Sequence, residues 1–91
     1  MKEVDEEFLN SVIKTFGTPN QIDMVREECL ELLLALQRLK RGKEELNEIK
    51  TNIIDEVADV LIVINQARLI FGKKEVDERI EYKINRLKSK L

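Results

Sequence analysis

Two acidic clusters that interrupt apolar helical stripes constrain the fold of this chain more than any other feature. The first cluster, at positions 27–31, reads EECLE, and the second, at 56–59, reads EVAD. Apolar residues flank both clusters at helical spacing: Val25, Leu32, Ala35 and Leu39 around the first, and Ile49, Ile53, Val60 and Val63 around the second. Because a carboxylate at a core position is costly without a neutralising partner, the fold must supply one.

Four of these carboxylates are expected to share one metal site. Residues three apart lie on one face of a helix, so Glu28 is beside Glu31, and Glu56 is beside Asp59. The chain has no histidine, and its basic residues mostly lie outside these stripes. A hard divalent cation held by oxygen ligands, such as Mg²⁺ or Mn²⁺, is therefore the most economical partner.

Composition favours a single all-α domain that covers residues 1–91. The chain has only three glycines and one proline, and Leu, Ile, Glu and Lys are abundant. A net charge of -2 gives no sign of nucleic-acid binding. Acidic residues break the apolar run at 53–64, so we expect no membrane span. The single cysteine, Cys29, excludes an intramolecular disulfide and suits a reducing cytoplasm.

The apolar periodicity predicts four helices. The first ends at Gly17, and its apolar face is formed by Val4, Phe8, Leu9, Val12, Ile13 and Phe16. The second is expected to start with Thr18 as N-cap and with Gln21 closing a capping box. It runs to about Arg41, where Gly42 is a natural C-terminal cap.

The third helix begins at Lys43 or only near Thr51, and it ends at Phe71. The fourth helix carries one apolar stripe, formed by Val76, Ile80, Ile84, Leu87 and Leu91. The chain midpoint between the two acidic pairs falls beside Gly42. A reversal there makes the second and third helices a central acidic hairpin, with both pairs at one height and about 8–10 Å between the helix axes.

The third helix is apolar around its whole circumference, which predicts that it is enclosed on all sides. Three other short helices barely cover it, and a 91-residue chain has a thin core. We therefore expect a four-helix bundle-like protomer that assembles into a homo-oligomer, either a dimer or a tetramer.

The acidic clusters resemble the signature of the MazG-like all-α nucleoside triphosphate pyrophosphohydrolases. The pattern is Glu-Glu-x-x-Glu at 27–31, then 24 residues, then Glu-x-x-Asp at 56–59. The order of elements is similar too, with Gln21 before the first cluster and with Lys83 and Arg86 in the last helix. The resemblance covers roughly residues 16–87, which is most of the chain.

The resemblance implies cleavage of a nucleoside triphosphate between its α- and β-phosphates, which gives a monophosphate and pyrophosphate. The metal ligands implied for Mg²⁺ are Glu28, Glu31, Glu56 and Asp59. The implied catalytic residues are Glu27 and Glu28, with Glu27 positioning the attacking water or supporting the ligands. The residues implied to contact the nucleotide are Gln21, Lys83 and Arg86.

Other interpretations of these residues stay open. Gln21 needs no ligand if it completes a capping box, and Lys83 and Arg86 suit the C-terminal end of a helix dipole. The second helix ends in a basic cluster, which is better interpreted as a solvated helix end than as a surface that steers phosphates. The cluster consists of Arg38, Lys40, Arg41 and Lys43. Asp55, one turn before Asp59, is a candidate for supporting the site.

Alternative functions also remain. Phosphoribosyl-ATP pyrophosphatase is a competing substrate assignment within the same superfamily. A non-catalytic helical dimerisation or regulatory module would keep the carboxylates for a structural ion. A di-iron carboxylate bundle requires Glu-x-x-His pairs, and the absence of histidine excludes it.

Overall fold

The structure is a computed structural model that describes residues 5–91, and within that range it consists of four α-helices. They are α1 (Glu6–Phe16), α2 (Thr18–Arg41), α3 (Leu46–Phe71) and α4 (Lys73–Lys88). The predicted all-α class and the four helices are confirmed. Val4, expected on the first apolar face, lies outside the described residues.

The α2 and α3 helices form an antiparallel pair, as the acidic hairpin predicted. Near the start of α2, the Gln21 Nε2 donates a 2.6 Å hydrogen bond to Gln66 Oε1 near the end of α3. In the middle of the pair, Glu31 of α2 lies beside Glu56 of α3. The chain reverses just after α2, where Gly42 takes a left-handed conformation with φ 65°, which a residue without a side chain adopts at little cost.

The predicted capping box at the start of α2 is wrong. Gly17 is the N-cap residue, no side chain caps the helix, and Thr18 is already helical. The physical reason is that Gly17 ends α1 and also serves as the N-cap of α2. Thr18 therefore cannot take the extended conformation of an N-cap residue. The Gln21 amide is buried and bonded to Gln66, so it does not reach back to the helix start.

The start of α3, which the sequence left open between Lys43 and Thr51, is at Leu46. Its N-cap is Glu45, whose carboxylate accepts hydrogen bonds from the backbone N–H groups of Asn47 and Glu48 at 2.9 and 3.0 Å. This cap satisfies two of the donors that a helix leaves unpaired at its first turn. At the other end, Gly72 alone joins α3 to α4.

Arg68 of α3 ties the first and last helices to the hairpin. Its guanidinium donates to Asp77 of α4 at 2.6 and 2.7 Å and to Glu6 of α1 at 2.6 Å. Lys73 also pairs with Glu6, at 2.7 Å. These partners hold the pKa values of Glu6 and Asp77 below their usual range.

The apolar core is thin, and much apolar surface faces solvent. The buried apolar residues within 5–91 are Leu9, Ala35, Ile49 and Val63. In this part of the chain, α4 packs against α3, contacts α1 through the Lys73–Glu6 ion pair, and contains no buried residue. One face of α3 exposes a continuous stripe, called here the outer stripe: Ile54, Val57, Leu61 and Ile64.

The part of the chain that the structure describes is open and flat. It measures 41 × 41 × 22 Å, and its radius of gyration is 15.7 Å, whereas a compact chain of this length has about 12 Å. The accessible surface is 7465 Å², against about 5,500 Å² for a compact monomer of the same mass. Within residues 5–91, no helix is at once long enough and apolar enough to cross a membrane.

Candidate metal centre

Three carboxylates converge where α2 faces α3. Glu28, Glu31 and Glu56 each contribute one oxygen, and these three oxygens lie within 4.8 Å of one another. Glu28 and Glu56 are half-buried on the facing sides of the helices, and Glu31 is exposed at the edge. The hairpin thus brings together residues of two clusters that are separated by 24 residues in the chain.

Two oxygens of this cluster lack a partner. Glu28 Oε2 and Glu56 Oε2 are buried and accept no hydrogen bond from any residue in the described part of the chain. A buried acceptor without a partner loses its hydration and gains nothing in return, so such atoms are uncommon in native proteins. Two of them on facing helices are a physical reason for a cation to bind here.

The electrostatics of the cluster agree with that geometry. Burial raises the pKa of Glu28, and the charges of Glu31, Asp59 and Glu56 raise it further. Burial likewise raises the pKa of Glu56, followed by the charges of Glu31, Asp59 and Asp55. The ionised forms are thus disfavoured by desolvation and by mutual repulsion, both of which a divalent cation would relieve.

Asp59, the fourth predicted ligand, lies at the margin of the cluster. Its charge raises the pKa of both Glu28 and Glu56, but its carboxylate is exposed and is outside the set of three converging oxygens. Its part in binding a cation stays a prediction.

A groove of about 610 Å³ between α2 and α3 opens beside the carboxylates. Its lining residues are Glu31, Leu34, Ala35, Gln37, Arg38, Arg41, Asn52 and Glu56. One end is therefore acidic and the other basic. The groove therefore connects the carboxylates with Arg38 and Arg41, which the sequence analysis interpreted as part of a solvated helix end.

The structure places Glu27 away from this groove. Glu27 is exposed and borders a different hollow, together with Asp23, Arg26 and Leu30. The reason is helical geometry, since successive residues point about 100° apart around the axis. Within one chain, Glu27 therefore does not face the converging carboxylates, and its predicted catalytic role is untested.

The three predicted substrate-binding residues also lie outside the groove. Gln21 is 6% exposed and bonded to Gln66. Lys83 and Arg86 are exposed on α4, which contacts α3 but not α2 within residues 5–91. In a single chain, none of the three lines the groove beside the carboxylates.

The sequence reasoning missed two polar residues of the hairpin, Asn52 and Gln66. Asn52 is half-buried and lines the groove one turn before Glu56, so its four-residue spacing was a usable signal. Gln66 is 4% exposed, and its role in the buried amide pair depends on Gln21 from another helix. No local pattern in the sequence indicates that pairing.

No protein-family model matches this chain, and neither a curated protein nor a solved structure matches it.

Proposed function

We propose that this protein is a Mg²⁺-dependent nucleoside triphosphate pyrophosphohydrolase of the MazG-like kind. The single observation that carries the proposal is the pair of buried, unpartnered oxygens on Glu28 and Glu56, which converge with Glu31 beside a groove. The groove is large enough for a small anionic ligand, and such a ligand would need a cation in order to approach the carboxylates.

The donor set suits Mg²⁺, with Mn²⁺ as the alternative. All three converging atoms are carboxylate oxygens, the hard ligands that these ions prefer, and neither thiol nor imidazole is among them. Glu28, Glu31 and Glu56 would hold the ion, with Asp59 as the fourth ligand. When bound, it supplies charge neutralisation at phosphate oxygens and acidification of a water molecule.

The proposed reaction is attack of water on the α-phosphorus of the nucleotide. The bond from that phosphorus to the bridging oxygen breaks, and the oxygen keeps the electron pair within the departing pyrophosphate. The proton of the attacking water passes to a carboxylate of the cluster, for which Glu28 is the proposed residue, and then to solvent. The groove walls orient the chain of phosphates along the hairpin.

The decisive experiment incubates the protein with Mg²⁺ and a panel of ribo- and deoxyribonucleoside triphosphates together with phosphoribosyl-ATP. We expect equal amounts of monophosphate and pyrophosphate, no reaction with chelator, and none from the Glu56→Gln variant. Preference for phosphoribosyl-ATP would select the competing substrate assignment.

Two results would contradict the proposal. Release of orthophosphate and a diphosphate would mean attack at a different phosphorus. If no substrate reacts although Mg²⁺ stabilises the protein against unfolding, the carboxylates hold a structural ion and the protein is a non-catalytic helical module.

We also propose that the active unit is a homo-oligomer, either a dimer or a tetramer. The single chain exposes roughly 2,000 Å² more surface than a compact monomer of its mass, and the outer stripe contributes apolar area to that excess. Burial of an area of this size is typical of stable interfaces between subunits. In such an assembly, Lys83 and Arg86 on the projecting α4 would approach the groove of a neighbouring copy.

A further inference from the structure

The groove beside the carboxylates has a basic end with no role in metal binding. Arg38 and Arg41 line this end, and Glu31 and Glu56 line the other. Along α2, Arg38 follows Glu31 by seven residues, which is two turns on the same face and a rise of about 10.5 Å. The groove therefore runs from converging carboxylates to a pair of guanidinium groups.

Both arginines have donors available for a ligand. Arg38 pairs with Glu44 at 3.6 Å, and both side chains are about half exposed (48% and 47%). A long, exposed ion pair of this kind contributes little and is displaced readily. Among the ion pairs of residues 5–91, none includes Arg41.

We propose that Arg38 and Arg41 bind the β- and γ-phosphates of the substrate and hold the pyrophosphate as it leaves. This inference rests on the proposed function and extends it to the direction in which the nucleotide lies. The scissile α-phosphorus is placed at the acidic end, and the terminal phosphates are placed at the basic end.

The chemistry of the leaving group favours this direction. When the bond to the bridging oxygen breaks, its electron pair stays with pyrophosphate, whose negative charge therefore increases. Guanidinium groups bind phosphate oxygens through two parallel N–H donors and stay charged throughout. The opposite direction would place the terminal phosphates at the acidic end and leave Arg38 and Arg41 without a phosphate partner.

A purely structural explanation makes a different prediction. Basic side chains near a helix C-terminus stabilise the helix dipole, whatever they face. Lys40 provides the matched control, because it is exposed in the same last turn of α2 and does not line the groove. The dipole explanation treats Lys40, Arg38 and Arg41 alike, whereas the phosphate site involves only the two arginines.

The test compares the wild type with Arg38→Gln, Arg41→Gln and Lys40→Gln. Binding of pyrophosphate in Mg²⁺ is measured by calorimetry, and KM and kcat are measured with the best nucleotide of the panel. We expect each arginine variant to weaken pyrophosphate binding and raise KM about tenfold, while Lys40→Gln leaves both unchanged. The melting temperature without Mg²⁺ and its increase on adding Mg²⁺ should each be the same in all four proteins. That result excludes a defect in folding or in metal binding.

The possible failures are distinct. If the wild type hydrolyses nucleotides but the arginine variants bind pyrophosphate as Lys40→Gln does, the phosphate site is wrong and the proposed function stands. If the wild type binds pyrophosphate through the arginines but cleaves no nucleotide, the anion site stands and the hydrolase proposal falls. Absence of pyrophosphate binding by the wild type overturns the site.

Discussion

At the scale of single residues, the carboxylates of Glu28 and Glu56 are costly to bury in their ionised form. Each has an oxygen without a partner and a raised pKa, because burial and neighbouring negative charges disfavour the ionised form. Buried carboxylates of this kind are retained where a ligand neutralises them, so they link stability to binding.

Replacing one of these carboxylates by its amide should separate stability from binding. We expect Glu56→Gln to raise the melting temperature of the metal-free protein, because it removes one charge from a repelling set. The same variant should lose the stabilisation by Mg²⁺, which for the wild type is about 2.7 kcal/mol at a hundredfold excess over Kd. Calorimetric scans with chelator and with Mg²⁺ measure both effects.

The control for that variant is Glu27→Gln, which removes the same charge from the adjacent face of α2. Because Glu27 is exposed and outside the converging set, it should keep the stabilisation by Mg²⁺. If Glu56→Gln unfolds the protein, the carboxylate has a structural role and the metal site is wrong.

The metal-free protein should be most stable in mild acid. Folding raises the pKa of Glu28 and Glu56, so the folded state binds protons more tightly, and stability rises as pH falls from neutral towards the ordinary value of 4.5. Folding lowers the pKa of Glu6 and Asp77, so their contribution is lost as pH falls below 4.5 and 3.8. The measurement is denaturant unfolding across roughly pH 3 to 8, a range that spans the titration of these groups.

A double variant, Glu28→Gln with Glu56→Gln, should no longer gain stability as pH falls from neutral. It should still lose stability at acid pH, where Glu6 and Asp77 become protonated. Stability that increases steadily from acid to neutral pH in the metal-free wild type would contradict the raised pKa values.

At the scale of elements, the hairpin was predictable because the sequence patterns that specify it involve residues close together in the chain. The apolar faces of α2 and α3 repeat every three or four residues, and Gly42 marks the reversal between them. The two acidic clusters lie at similar distances from that reversal, so counting predicted that Glu28, Glu31 and Glu56 would converge. The same count placed Asp59 with them, and its carboxylate lies outside the converging set.

Other features depend on partners from separate helices and could not be predicted from local patterns. Arg68 contacts Glu6 and Asp77, of which the first is 62 positions away. The capping box failed for a related reason, because the Gln21 amide donates to Gln66 across the hairpin and makes no bond to its own helix start. Local pattern reasoning assigns a side chain to its nearest neighbours, and tertiary contacts override that assignment.

The hairpin core can be tested with a pair of variants in α3. Ile49 is 4% exposed, whereas Leu46 at the start of the same helix is 63% exposed. We expect Ile49→Ala to lower the free energy of unfolding by about 2–4 kcal/mol, since it leaves a cavity in a thin core. Leu46→Ala should change it by less than about 0.5 kcal/mol. Equal effects in denaturant titrations would show that Ile49 is not part of that core.

At the scale of the whole molecule, the part of the chain that the structure describes is less compact than a monomer of its mass. Its radius of gyration and surface both exceed the values of a compact monomer, and α4 covers little of the rest. A surface this apolar on a small protein is typical of one that packs against another chain.

Self-association is therefore the expected state in solution. Light scattering at micromolar concentration should give a mass of at least twice 10.7 kDa. Leu61→Asp, in the middle of the outer stripe, should lower that mass and reduce activity, because a buried charge without a partner opposes association. Lys50→Glu, an exposed change of charge in the same helix, is the control and should affect neither. A monomeric wild type with full activity would refute the oligomer.

One glycine forms the joint between the third and fourth helices. Gly72 has φ 134°, a backbone conformation that favours glycine, and an added methyl group there would collide with the Glu75 side chain. Beyond it, 16 residues of α4 extend for about 24 Å, so a rotation of roughly 10° at this joint moves the far end by about 4 Å. A small change in the backbone at this single residue is therefore amplified along the length of α4. The positions of Lys83 and Arg86 therefore depend on the backbone at Gly72 and on the Arg68–Asp77 bonds beside it, as well as on the helix that carries them.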